Sequence, residues 1–93
     1  MSIRDALTLR DYSATLSSGV TVTLRRPSAL DLIEGVQFST EHPNRLHAWF
    51  VWRHLIEDGA QVFASLDEVL GCDAHRVTEI AQIVERLYAE GRD

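Results

Sequence analysis

Polar and apolar residues alternate over two stretches near the start of the chain. Tyr12, Ala14 and Leu16 alternate with polar neighbours, and after Ser17-Ser18-Gly19 the pattern resumes at Val20, Val22 and Leu24. A period of two marks a strand with one apolar face, and a short glycine-containing loop between two such runs predicts an antiparallel hairpin over about 11–25. Two strands are marginal alone, so this face must pack on helices, and its edges stay unpaired unless something covers them. After Arg25-Arg26-Pro27 the period lengthens. Ser28 is placed to cap the amide of Asp31, and Ala29, Leu32, Ile33 and Val36 share one apolar face, with Leu30 at its margin, in a short helix of about 29–38.

The next helix is predicted over about 43–58, opened by Pro43 and ended by Gly59. Its main stripe is Ala48, Val51, Trp52, Leu55 and Ile56, with Trp49 on the rim, while Leu46 and Phe50 fall on the side of Arg53 and Glu57. Ser65-Leu-Asp-Glu68 reads as a capping box for a helix of about 66–70 closed by Gly71. Asp73 then caps a final helix of about 74–90, followed by Gly91, with Val77, Ile80, Ala81, Ile83, Val84, Leu87 and Tyr88 on one clean face. The expectation is an α+β fold: an N-terminal two-stranded antiparallel β-hairpin followed by a small bundle of about four helices, in one domain over 1–93.

Composition narrows the class. A chain of 93 residues that is 45% hydrophobic and 25% charged has the composition of a folded domain with one core. A net charge of −5 argues against a general polyanion binder, whose affinity rests on clustered positive charge. The one cysteine, Cys72, excludes an internal disulfide framework and fits a reducing compartment. No apolar run reaches the roughly 18 to 20 residues of a membrane span, and Met1-Ser2-Ile3-Arg4-Asp5 has no secretory apolar region. All nine basic residues are arginine, which fits either GC-rich coding or planar contacts with a partner protein.

Chemistry-bearing motifs are scarce. His47 and His54 lie two helical turns apart, and Cys72-x-x-His75 offers two ligands where a structural zinc site uses four, so neither a metal nor a cofactor is expected. No nucleophile elbow, phosphate loop or dinucleotide fingerprint occurs, and a lone cysteine is more often a buried packing residue, so no enzyme is expected. Glu57-Asp58 sits at the unfavourable end of its predicted helix, an irregularity without an explanation at this level. Asp67 to Ala81 has the outline of a helix-turn-helix, which makes a small DNA-binding regulator an alternative. The exposed face of its second helix carries Glu79 and Glu85, which repel phosphate, so nucleic acid is not the expected partner.

The aromatic cluster is the most informative feature. Trp49, Phe50 and Trp52 fall within one helical turn and point in different directions. Either the core uses both sides of this helix, or Leu46, Phe50 and Arg53, with Trp49 at the rim, form an exposed strip for a partner, since aromatics and arginine dominate interface hot spots.

The order of elements, with Leu24-Arg-Arg-Pro-Ser-Ala-Leu-Asp-Leu32 after the hairpin, resembles the tail assembly chaperones of long-tailed bacteriophages and prophages. In that family a hairpin leads into a Leu-Arg-x-Pro-[Thr/Ser]-Ala-x-Asp-Leu segment. The closing pair of a short helix and an amphipathic one fits the segments from Ser65 and from Val77 to Tyr88. The resemblance implies a non-catalytic role in the host bacterial cytoplasm, holding the tape-measure protein and bringing tail tube protein to it. It also implies absence from the finished particle and, in many members, a longer frameshifted product. On that reading Leu46, Phe50 and Arg53 would meet the tape-measure protein by helix-in-groove contact, and the strand from Tyr12 to Leu16 would meet the tube protein by strand addition. Self-association is a further expectation from the open edge and excess apolar surface. A structural protein of the tail or head–tail junction is the remaining alternative.

Overall fold

A computed structural model describes residues 2–90 of the chain. It is a mixed α+β fold, with a four-stranded antiparallel sheet in the order β1-β2-β3-β4 and five α-helices. The expected hairpin is β1 (Asp11–Thr15) and β2 (Thr21–Arg25), with Tyr12 opposite Leu24 and Ala14 opposite Val22. It is preceded by a single-turn helix absent from the sequence reading, α1 (Ile3–Leu7), whose Ser2 side chain accepts from the Asp5 amide. α1 buries none of its residues.

The sheet has two strands more than expected, and they replace the end of a predicted helix. Residues 43–58 are not one helix: Pro43–Arg45 form a 3-10 turn, α3 runs Leu46–His54, and Leu55–Glu57 continue as β3. β3 pairs with β2 at Thr23–Ile56 and Leu24–Leu55, so β2 has no open edge there. β4 (Ala60–Gln61) returns against β3 through Asp58 (φ 53°) and Gly59 (φ 82°). Two successive left-handed residues make the two-residue hairpin loop for which Asp-Gly is a preferred sequence. Gly59 therefore closes a strand turn rather than a helix, and Glu57-Asp58 no longer sits against a helix dipole.

α4 (Leu66–Leu70) and α5 (Ala74–Ala89) complete the chain within a residue of expectation. Asp73 caps α5 by accepting from the His75 and Arg76 amides, whereas Gly91 lies outside the described residues. The capping box at Ser65 does not form; Ser65 makes no capping bond, and Glu68 reaches instead to the Ala64 amide. The core lies where the sheet meets α3 and α5, and it gathers Leu16, Leu24, Ala48, Trp49, Phe50, Val51, Val69, Ile80, Ala81, Val84 and Leu87.

α2 (Ala29–Glu41) is three residues longer than predicted and has its apolar face outward. Leu30 (56%), Leu32 (46%), Ile33 (65%) and Val36 (63%) are substantially exposed. The inward line is Asp31, Gly35 and Phe38, spaced to share one helix face. Gly35 permits the approach: a Cβ there would stand 3.3 Å from the Trp49 ring. Phe38 stacks on the same ring at 5.8 Å, and Asp31 is fully buried. The helix is thus held by a carboxylate, a bare backbone and one aromatic. An inverted mutational response follows. Ile33→Gln should change unfolding free energy by no more than about 0.5 kcal/mol, whereas Asp31→Ala should cost about 3–5 kcal/mol by stranding its arginine partners. Urea denaturation of the two variants measures both.

Candidate functional site

The site is built around Asp31. Arg25, at the end of β2, grips it with both terminal nitrogens, 3.2 Å to each carboxylate oxygen. Arg53, near the end of α3, adds its Nε at 2.6 Å, and the Ser28 amide donates to the other oxygen at 2.9 Å. Ser28 in turn accepts from the Asp31 amide, completing a capping box. Arg53 also binds Glu34 at 2.8 Å, so α2 is tied to α3 through two carboxylates. Burial pushes the Asp31 carboxyl up, but the Ser28 amide and the two guanidiniums outweigh it and hold the pKa below the usual 3.8.

His54 extends the network inward. It is fully buried, with Nδ1 2.7 Å from the Arg25 carbonyl and Nε2 2.7 Å from the Tyr88 hydroxyl. A carbonyl can only accept, so the neutral ring carries its proton on Nδ1 and takes the tyrosine proton's hydrogen bond at Nε2. Burial lowers the His54 pKa below its usual 6.5, opposed by the Arg25 carbonyl bond and the Asp31 charge. Burial likewise raises Tyr88. Both ring nitrogens of His54 are occupied and the ring is sealed from solvent, which makes it a strut between β2, α3 and α5 rather than a group that could meet a substrate.

Over this network lies an apolar surface. Leu32, Val36 and Gly35 of α2, Leu46 and Phe50 of α3, and Tyr88 of α5 line a groove of about 290 Å³. Glu85 stands on its rim, 3.3 Å from His47. A second depression, where Leu9 meets Leu32 and Tyr88, continues it toward the start of α2. Leu30 and Ile33 carry the apolar surface round the outside of the helix.

The predicted strip does not appear as one exposed surface. Leu46, Phe50 and Arg53 do not form an exposed band. Phe50 (7% exposed) packs between Trp49 and Tyr88, with ring centroids at 5.9 and 5.2 Å, and Trp49 is buried as well. Arg53 is drawn inward by Asp31 and lies 5.7 Å from the Trp49 ring. Leu46 and Phe50 are brought together, but as the floor of the groove; the exposed residues are on α2. Sequence reading found the apolar set of α2 without its exposure, and the available signal was the Asp31-Gly35-Phe38 line opposite it.

Tyr12 and Leu16 face inward from β1, Leu16 into the core and Tyr12 under the Arg26 guanidinium at 5.2 Å. The Leu16 amide bonds the Val20 carbonyl. Antiparallel alternation therefore turns the amides and carbonyls of Tyr12 and Ala14 toward β2, and those of Asp11, Ser13 and Thr15 away from the sheet. That outer edge of β1 has no strand partner among the described residues.

The other motifs find ordinary surroundings. Cys72, expected as a buried packing residue, is exposed, with its thiol toward the Glu68 carbonyl. In the helix-turn-helix segment α4 lies against α3, and Arg76 is engaged by Glu79 and the Ser17 hydroxyl. Among the described residues no group of three or more His, Cys, Asp or Glu could hold a metal ion, and no helix is long and apolar enough to cross a membrane.

The network sets a pH response. With its folded pKa below 6.5, His54 contributes stability fully above that value, and loses it as pH falls from 6.5 toward the folded pKa because the unfolded chain takes the proton first. Asp31 acts at lower pH, its contribution disappearing as pH falls below 3.8 through its own folded pKa. Urea midpoints should therefore hold between about pH 8 and 7 and decline toward pH 5, by at most about 1.4 kcal/mol per unit from one proton. His54→Phe should start lower and lose this slope. No family model, curated protein or solved structure gives a significant match to the chain.

Proposed function

We propose that this protein is a non-catalytic tail assembly chaperone that shields an apolar helical segment of the tape-measure protein during phage tail building. The observation that carries the reading is the outward apolar face of α2, with Ile33 and Val36 more than half exposed on a folded domain. Surface patches of this kind commonly mark protein-binding sites. The face begins within the segment Leu24 to Leu32 on which the family resemblance rests.

The mode of contact follows from the shape. A client helix laid along α2 would rest on Leu32, Ile33 and Val36 and turn its edge into the groove floored by Leu46 and Phe50. Binding of this kind needs no cofactor. A tail tube subunit, which pairs through sheet edges, would have the outer edge of β1 at Asp11, Ser13 and Thr15 for strand addition. The two contacts use different elements, which is what a protein that brings one component to another requires.

Tagged protein recovered from its host during the lytic or prophage programme should bring down the tape-measure and tube proteins, identified by mass spectrometry. Ile33→Glu should reduce tape-measure recovery at least tenfold while circular dichroism and the urea midpoint stay near wild type. Purified virions should lack the protein. Recovery of neither client would overturn the reading, and stoichiometric presence in virions would make it a structural tail protein.

A further inference from the structure

Two large apolar side chains of α1 pack against nothing. Ile3 (81%) and Leu7 (77%) are exposed, and α1 buries none of its residues. At about 100° per residue Ile3, Ala6 and Leu7 share one face, while Arg4 and Asp5 fall outside it. So short a helix is marginal by itself. Its turn is nevertheless tied at both ends: the Asp5 amide donates to the Ser2 hydroxyl, the Thr8 amide to the Asp5 carbonyl, and the Thr8 hydroxyl to the Arg4 carbonyl.

The tether places this helix beside the groove. Leu9 already lines the second depression with Leu32, Leu87 and Tyr88, and Leu32 also lines the groove proper with Val36. Thr8, in extended conformation (φ −74°, ψ 132°), stands alone between Leu7 and that anchor, which keeps Leu7 within about 7 Å of Leu9. The two helices also match in spacing. Ile3 and Leu7 on α1, like Val36 and Leu32 on α2, are one turn apart, about 6 Å along the axis.

We infer that α1 is a strap that turns about Thr8 and Leu9 and closes the groove of its own chain. In the closed position α1 runs antiparallel to α2, with Leu7 beside Leu32 and Ile3 beside Val36, over the floor of Leu46 and Phe50. The structure holds the open position. Closure removes the apolar area of Ile3 and Leu7 from water, leaves Arg4 and Asp5 in solvent, and breaks no sheet bond, since β1 begins only at Asp11. The effect on a client rests on the chaperone reading: strap and client compete for the groove, and the apparent client Kd rises in inverse proportion to the open fraction. The closure itself does not rest on that reading.

Cross-linking of the full chain tests the closure. In a Cys72→Ser background, Ile3→Cys with Val36→Cys should form a disulfide within one chain at least tenfold faster in air than Ile3→Cys with Gln61→Cys, whose strand β4 is the opposite edge of the sheet. A disulfide needs Cα atoms within about 7 Å, so the bond reports close approach. Independently, Ile3→Ser combined with Leu7→Ser should leave circular dichroism and the urea midpoint unchanged. That variant should bind the apolar dye anilinonaphthalene sulfonate about threefold more tightly, as when two-thirds of wild-type molecules are closed. A cross-link no faster than the Gln61 pair, a cross-link formed only between chains, or an unchanged dye affinity would overturn the inference. Tape-measure recovery by the double serine variant, measured separately, keeps the readings distinct. A strap that closes in a protein recovering no tape-measure protein stands without the function. Recovery without any cross-link leaves the function standing without the strap.

Discussion

One buried carboxylate fixes the arrangement of the elements. Asp31 accepts from Arg25 at the end of the sheet hairpin, from Arg53 near the end of α3, and from the amide that starts its own helix. An unpaired buried charge is among the costliest defects a fold can contain, and this one is saturated by two guanidiniums and a backbone amide. The bidentate fork of Arg25 and the short Arg53 contact define both the position and the rotation of α2. The side chain that must face inward decides which side chains face out.

The same group propagates into the core. Arg25 gives its side chain to Asp31 and to the Arg53 carbonyl, and its own carbonyl to His54. His54 passes the connection to Tyr88 on α5. Residues from β2, α2, α3 and α5 thus share one polar spine beside an apolar core of leucine, valine and tryptophan. Its members explain one another's ionisation: the arginines keep Asp31 charged, and burial keeps His54 neutral. The spine also accounts for Arg53, whose position beside exposed-looking aromatics in sequence conceals a structural task.

The exposed apolar surface is the complement of this anchoring. A helix attached through Asp31, Gly35 and Phe38 does not depend on burying its aliphatic side chains, so Leu30, Leu32, Ile33 and Val36 remain exposed. Apolar side chains left on one face of a well-attached helix suit reversible contact with another helix, and the rigid floor of Leu46, Phe50 and Tyr88 gives that contact a shape. Reversibility matters for a protein proposed to hold a client and then release it to polymerising subunits.

The sequence by itself determined the elements whose signals are local. Alternation at Tyr12 to Leu24 specified the hairpin, Ser28 and Asp31 the start of α2, and the apolar stripe from Val77 to Tyr88 the buried face of α5, because each depends on residues a few positions apart. Asp58-Gly59 was equally local but ambiguous, since a glycine can end a helix or close a strand turn, and only the pairing of Leu55 and Ile56 with β2 chose between them. The rotation of α2 lay beyond any local pattern. Its apolar periodicity was plain, yet Asp31 meets partners 6 and 22 residues away in sequence, and their convergence exists only in the folded chain. Periodicity reports which residues share a face; which face is buried is decided by the groups that the rest of the structure holds against it.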